Sequence, residues 1–251
     1  ALSALIARAR KGVSQRVTRN VSLWRKRSRL TAPVVTFSFD DFPKSAWVNG
    51  GPLLERHGVR ATYYVAGGLA GTTVDGVRQF DREDLAAVAT AGHEIGCHTF
   101  DHLRVVFADK AAIESTLARN AAFVRDVAGV EMTTFAYPFG HANLATKYMI
   151  AKRFKAARGI WAGANAPAID MAQVQASPLE SRSFDLAAYD ALIAQAKASN
   201  GWLVFFAHDV DDSPSDYGCT PAQLDAVLKR VVEAGLEVLP FKDAAARAVA
   251  E

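Results

Sequence analysis

Strand and helix signals alternate about seven times from residue 34 to the C-terminal end. That alternation predicts an α/β fold with a parallel sheet and crossover helices, as an open sheet or a closed barrel. Two other observations support this class. Capping residues and glycines punctuate the helical stretches at their expected starts and stops. No linker, repeat or low-complexity tract interrupts the chain after residue 32, so the expected division is a basic N-terminal extension over 1–32 and one domain over 33–251.

The elements follow in order. VVTFSF, 34–39, reads as a buried strand, and a helix is expected over about 45–57. TYYV, 62–65, is a second strand. Asp81 reads as an N-cap for a helix that runs to Gly92, and HEIGC, 93–97, as a short strand. Asp109 opens a long helix ending near Gly129. MTTFAY, 132–137, is a strand closed by Pro138; a helix over 144–153 and a strand over 155–160 come next. Asp185 caps a helix that stops at Gly201, before the apolar strand WLVFFA, 202–207. Thr220-Pro221 is a strong helix start, with proline in the first helical position. Gly235 ends that helix, and LEVLP, 236–240, precedes a terminal helix.

The 251 residues are half hydrophobic, with mean hydropathy near zero, enough for one large core. No apolar run approaches a membrane span. Charge is uneven. Residues 1–39 hold nine Lys and Arg and no acid, against 20 bases and 26 acids in the rest. Such an arm suits a membrane surface or a partner; nucleic acid is not the expected partner. Equally, Leu2, Leu5, Ile6, Val13, Val17, Val21, Leu23 and Trp24 could form one apolar stripe packing beside the domain. The arm lacks the continuous apolar stretch of a secretion signal, which favours the cytoplasm unless an upstream segment was removed. Cys97 and Cys219 do not make a disulfide scaffold; free thiols and a single bridge both stay open.

Polar residues gather where the predicted strands end. Asp40 and Asp41 follow the first strand, His98 and His102 the third, the YPFG turn the fourth, Arg158 the fifth, and His208 with Asp209 the sixth. In a barrel those ends share one mouth. Two imidazoles and a carboxylate form a ligand set for Zn²⁺ with a fourth position open, and Asp41 with His98 and His102 fits it. Asp40 is then free as a general base and His208 as an acid. With a metal ion, that is a hydrolase arrangement. The YPFG turn could offer backbone N–H groups to a developing oxyanion.

These residues resemble the polysaccharide deacetylase family, the NodB-homology domain of carbohydrate esterase family 4, over about residues 33–242. SFDDFP, 38–43, matches the first family motif, T-F-D-D-G-P, with Phe42 in place of glycine. His98-Thr99-Phe100-Asp101-His102 matches H-[ST]-x-x-H, and Phe206-Ala207-His208 loosely matches L-x-H. The resemblance implies a distorted (β/α) barrel of seven or eight mostly parallel strands and a divalent metal, most often zinc. By motif position Asp41, His98 and His102 are the ligands, Asp40 the base and His208 the acid. The third motif, R-x-P-Y-G, aligns with Ala136-Tyr137-Pro138-Phe139-Gly140, so the Phe139 N–H falls at the oxyanion position.

There are two departures. The motif arginine that holds the base is Ala136 here, and Arg158 on the neighbouring strand is expected to replace it. The fourth motif, D-x-x-D-W, is absent, leaving Asp209, Asp211 or Asp185 to tune His208. Trp161, Tyr137 and Phe42 could stack on a sugar, Asn165 could line the mouth, and the polar loop 208–220 could shape the substrate site. The expected activity is metal-dependent N-deacetylation of amino-sugar poly- or oligosaccharides. The alternatives are an O-acetyl esterase on acetylated glycans, a C–N hydrolase on small amides, and a non-catalytic carbohydrate-binding barrel.

Overall fold

The computed structural model describes Thr18, residues 21–22 and residues 24–250. Its strands are β1 (Arg25–Arg27), β2 (Val34–Phe39), β3 (Thr62–Val65), β4 (Thr73–Val74), β5 (Val77–Arg78), β6 (Glu94–Cys97), β7 (Thr134–Ala136), β8 (Ala156–Arg158), β9 (Ala164–Asn165), β10 (Ala168–Asp170), β11 (Ser177–Pro178), β12 (Trp202–Ala207) and β13 (Glu237–Val238). The main sheet runs β11-β12-β2-β3-β6-β7-β8 with every neighbouring pair parallel; β13 joins β2 and β9 lies antiparallel to β12. The sheet curls back on itself. Arg158 bridges Val174 in parallel, with Gly159 N–H to Val174 O and Val174 N–H to Ala157 O each at 2.8 Å, and the chain from Val174 leads into β11. This is the distorted barrel the sequence predicts.

Period-2 alternation sorts each strand into an outer and an inner row. On β2, Val35, Phe37 and Phe39 pack outward under the helices, while Val34 joins the bore cluster with Tyr64, Ala136, Ala156, Trp202, Val204 and Phe206. The inner row of β2 continues through Thr36, which receives Trp202 Nε1–H at 3.0 Å, to Ser38, whose hydroxyl donates to Phe205 O at 2.9 Å. One step further along the same row is Asp40.

The helix Phe241–Val249 closes the floor of the bore. Its first-turn amides donate inward, Phe241 N–H to Thr62 Oγ1 at 2.8 Å and Lys242 N–H to Glu94 Oε2 at 2.7 Å. Phe241 packs on Trp202, ring centroids 4.7 Å apart. A carboxylate at a helix N-terminus is the favourable end of the helix dipole.

Several expectations are refined. The helix over 45–57 is two, Lys44–Val48 and Gly50–Arg56, broken at Asn49 ahead of Gly50-Gly51-Pro52, weak helix formers and a residue without an N–H. Asn200, left-handed at φ 48°, ends the helix Leu186–Ser199, one residue before the expected Gly201. The strands expected over 93–97, 132–137, 155–160 and 236–240 are shorter, Glu94–Cys97, Thr134–Ala136, Ala156–Arg158 and Glu237–Val238. Cys97 and Cys219 are free and buried.

The described part of the N-terminal segment is bound to the domain. β1 pairs antiparallel with β10, and the buried Lys147 ammonium donates to Thr18 O at 3.0 Å and Val21 O at 2.8 Å while pairing with Asp170. Leu2, Leu5, Ile6, Val13, Val17 and Leu23 of the anticipated stripe lie outside the described residues; Val21 and Trp24 are exposed. Among the described residues no helix is long and apolar enough to cross a membrane.

Candidate functional site

Asp40 and Asp41 reach one site because the strand ends between them. Asp40, the first residue past β2, keeps the strand's pairing, its N–H bonded to Ala207 O at 2.9 Å, and its carboxylate meets Arg158 in the bore. Asp41 and Phe42 then turn left-handed, with φ 63° and 67°, which swings the second carboxylate over the mouth. The same device recurs at Thr99 (φ 62°), His102 (48°) and Phe139 (60°). Non-glycine residues rarely adopt this conformation, and such strain concentrates at working sites.

His98 continues the inner row Glu94–Gly96 of β6; its Nδ1 lies 2.8 Å from Ala136 O, which turns Nε2 toward Asp41. His102 comes from the loop after β6, which folds tightly because Thr99 Oγ1 accepts Leu103 N–H at 2.8 Å. Asp41 Oδ1 stands 3.3 Å from His98 Nε2 and 3.1 Å from His102 Nε2. It is buried, yet makes no hydrogen bond with either ring. The three donor atoms lie within 4.8 Å of one another, close enough to share one ion. An orphaned carboxylate oxygen between two imidazole nitrogens fits a divalent ion with nitrogen and oxygen ligands.

Arg158 climbs the bore from β8. It is fully buried, with its guanidinium 5.1 Å from the Tyr64 ring centroid and 4.7 Å from that of Phe206. Nη2 donates to both oxygens of Asp40, and Nη1 to Gly159 O at 2.9 Å. Burial alone would raise the Asp40 carboxyl; the Arg158 charge, with smaller help from His98 and His208, outweighs it and holds the group below its ordinary value. Asp41 is likewise held low against burial by the surrounding imidazoles. His208 continues the inner row Trp202–Val204–Phe206, its Nε2 4.0 Å from Asp41 Oδ2.

These groups line a cleft of about 640 Å³, together with Val74 and Asp75 of the β4–β5 hairpin, Arg104, Phe139, Gly140, His141, Ile160, Glu180, Arg182, Phe206 and Tyr217. Asp40, Asp41, His98, His102, Arg158, Phe139 and His208 thus converge as expected, with Arg158 just beneath the cleft.

Other sequence expectations do not hold. Phe42 is wholly buried, stacked on Phe80 with centroids 4.7 Å apart and rings 6° from parallel, so it is core and not a sugar platform. Tyr137 is buried and its hydroxyl donates to Ala172 O at 2.9 Å. Pro138 is buried beneath the turn, and of that tripeptide Phe139 and Gly140 face the cleft. Trp161 is half-buried outside the lining. Asn165 lies beside Trp202 at the start of β12, the opposite end of the barrel, and its amide is consumed by Gln175 and Trp202 backbone groups at 2.9–3.0 Å.

None of the three acids proposed for His208 partners its ring. Asp209 accepts Ser215 N–H at 2.7 Å, Asp211 accepts Ser213 N–H at 3.0 Å, and Asp185 caps its helix. His208 Nδ1 is buried without a hydrogen-bond partner, and the ring rests 5.5 Å from Tyr217. Tyr217 carries Arg182 on its face at 4.5 Å, and Arg182 Nε donates to Glu180 at 2.8 Å. Glu180, Arg182 and Arg104 were missed from sequence. Glu180 lies two residues beyond Pro178, the register partner of Phe206, so it shares a strand-end level with His208. A two-residue strand leaves no periodic signal to reveal this.

An α/β barrel with its polar cluster at the C-terminal strand ends is the architecture this fold and site define. The chain belongs to the polysaccharide deacetylase family, whose model matches residues 27–155. Over 111 residues it is 29% identical to a peptidoglycan-N-acetylglucosamine deacetylase of Listeria monocytogenes, a match covering 43% of this chain and 22% of that protein. In fold it is similar to a solved peptidoglycan N-acetylglucosamine deacetylase (TM-score 0.61, 14% identity, covering 87% of this chain and 90% of that one). It is also similar to a family 4 acetyl xylan esterase from Clostridium thermocellum (TM-score 0.59, 19% identity, 84% and 89%).

Proposed function

We propose that this chain is a metal-dependent hydrolase that removes N-acetyl groups from amino-sugar poly- or oligosaccharides. The observation that carries the reading is the adjacency of two differently treated carboxylates. Asp41 is left open toward His98 and His102, while Asp40 beside it is clamped by Arg158.

Asp41, His98 and His102 would hold a divalent ion, with zinc suited to the donor set, and the ion would supply Lewis-acid polarisation of the acetyl carbonyl. The Asp40 carboxylate takes a proton from the attacking water as its oxygen bonds to the acetyl carbon. Arg158 keeps that carboxylate ionised and pointed into the cleft. The Phe139 N–H, in its left-handed turn at the rim, is the oxyanion donor. His208 Nε2–H protonates the amine nitrogen as the C–N bond breaks, leaving acetate and a free amino sugar. Tyr217, backed by Arg182 and Glu180, fixes the imidazole in place of the absent acidic motif.

The test is acetate release from chitooligosaccharides by metal-stripped protein, without and then with added Zn²⁺, beside Asp40→Asn. Release restored by zinc and lost in the variant is the expected result. Release from acetylated xylan alone would instead favour an O-acetyl esterase, a reading supported by the resemblance to an acetyl xylan esterase fold.

A further inference from the structure

Asp41 stands between His98 and His102, left open toward both. The arginines at the cleft are mostly neutralised there, Arg158 by Asp40 and Arg182 by Glu180. Arg104 differs. Its guanidinium carbon lies 3.6 Å over the Phe139 ring centroid and its Nη1 3.4 Å from His141 Nδ1, and among the described residues no carboxylate oxygen comes within 4.0 Å of it. Arg182 makes the same kind of stack on Tyr217 but spends its charge on Glu180. The lining acid without a described basic partner, Asp75, sits in the turn of a separate hairpin and no ion pair joins it to Arg104.

A guanidinium carbon 3.6 Å from a ring centroid is within stacking range, and the planar N–H donors not directed at His141 offer a fork that matches a carboxylate. Phe139 in turn packs against His102, centroids 4.3 Å apart and rings tilted by 36°. The guanidinium carbon is therefore at most 7.9 Å from the centre of the His102 ring, the 3.6 and 4.3 Å separations laid end to end. That is the reach of one sugar ring and its exocyclic group. One unneutralised arginine balances a single negative charge, which a carboxylate carries and a phosphate monoester exceeds.

We propose that Arg104 is a specificity-determining residue and that the glycan taken by this cleft is acidic, with a carboxylate on the unit next to the one whose acetamide meets Asp41, His98 and His102. This rests on the deacetylase reading and names its substrate class.

The test is binding to full-length protein of a hyaluronan tetrasaccharide, which alternates glucuronate with N-acetylglucosamine, against the same tetrasaccharide with its carboxyls methyl-esterified. The parent should bind the free acid about tenfold more tightly at low salt, as a charge-assisted fork implies, and the preference should shrink as salt rises. Arg104→Gln should bring the two ligands to within about twofold, with Arg104→Lys between, and the thermal midpoint unchanged because the residue is exposed. Equal affinities in the parent, no measurable affinity for either ligand, or a preference that survives Arg104→Gln overturns the proposal. Acetate release from chitotetraose on the same preparation reads the deacetylase assignment separately. Release without an acid preference sinks the inference alone; an acid preference without release from either glycan sinks the activity alone.

Discussion

The two ends of the barrel bore are built from the same inner rows and treat polar groups in opposite ways. At the floor, the Glu94 carboxylate is closed on three sides, by Thr62 Oγ1 at 2.8 Å, by Thr134 Oγ1, and by Lys242 N–H at 2.7 Å. At the mouth, just past the ends of β2 and β12, Asp41 Oδ1 and His208 Nδ1 are buried without hydrogen bonds, and five non-glycine residues sit left-handed around them. Closed networks specify a packing; open ones await a ligand. The contrast assigns stability to the floor and chemistry to the mouth, as in barrel enzymes generally.

Arg158 crosses between the two, rising from the bore to Asp40, so its removal should produce the largest effect. Arg158→Ala leaves Asp40 buried without its counter-charge, and the carboxyl should rise. In the proposed mechanism Asp40 acts as base only when ionised, so the acidic limb of the kcat/KM profile should move to higher pH. Turnover at neutral pH should fall on the order of 10²-fold, the lower range for losing a poised general base. Turnover within a factor of two of the parent, with an unmoved acidic limb, would remove Arg158 from the mechanism.

Phe42 sharpens the comparison because it packs like the core while standing at the mouth. Phe42→Ala should cost about 3–5 kcal/mol by denaturant unfolding, the usual loss for a buried phenylalanine. At φ 67° a glycine avoids the left-handed penalty of roughly 1 kcal/mol that alanine retains. Phe42→Gly should therefore be the less destabilised of the two, and the reverse order would show that strain at this turn is not what sets the cost.

Much of this was legible in the sequence for a physical reason. Asp81, Asp109, Asp185 and Thr220 are N-caps whose side chains accept a first-turn N–H, and VVTFSF, TYYV and WLVFFA are strands buried along their whole length. Strand ends located the site because inner rows project past them. What stayed hidden depends on tertiary neighbours. β9, β10 and β11 are two or three residues long, too short for an alternating pattern, and Glu180 lies two residues beyond the last of them. Tyr137 and Asn165 look like site residues in a motif or near a strand end, yet their polar atoms are consumed by backbone groups far along the chain.

His93 and Glu94, adjacent at the start of β6, should give opposite pH slopes. The His93 ring lies edge-on against Trp47 and Tyr63, its Nδ1 accepts Ala61 N–H at 3.0 Å, and burial first, then the Arg60 charge, lowers its pKa to about 4. The unfolded chain takes up that proton near pH 6.5 and the folded one resists, so this stability is present above pH 6.5 and is lost as pH falls toward 4. It amounts to about 3 kcal/mol at 1.36 kcal/mol per unit. His93→Asn, which keeps an acceptor for Ala61, should flatten unfolding free energies between pH 7 and 4.5.

Glu94 should give the smallest effect, of reversed sign. Burial raises its carboxyl, and the Thr134, Lys242 and Thr62 donors only partly offset this. The folded state then holds the proton more firmly than the unfolded one. Stability is greatest below the unfolded value and declines as pH rises toward the folded one. Glu94→Gln can accept from Lys242 N–H and Thr62 through its carbonyl and donate to Thr134 through its amide, so the floor stays closed. The variant should gain on the parent as pH rises from 4 to 8, with kcat and KM unchanged because the mouth is untouched. A change in KM at constant stability would mean that the floor and the mouth are coupled through the inner row of β6, and the division of labour between the two ends would have to be abandoned.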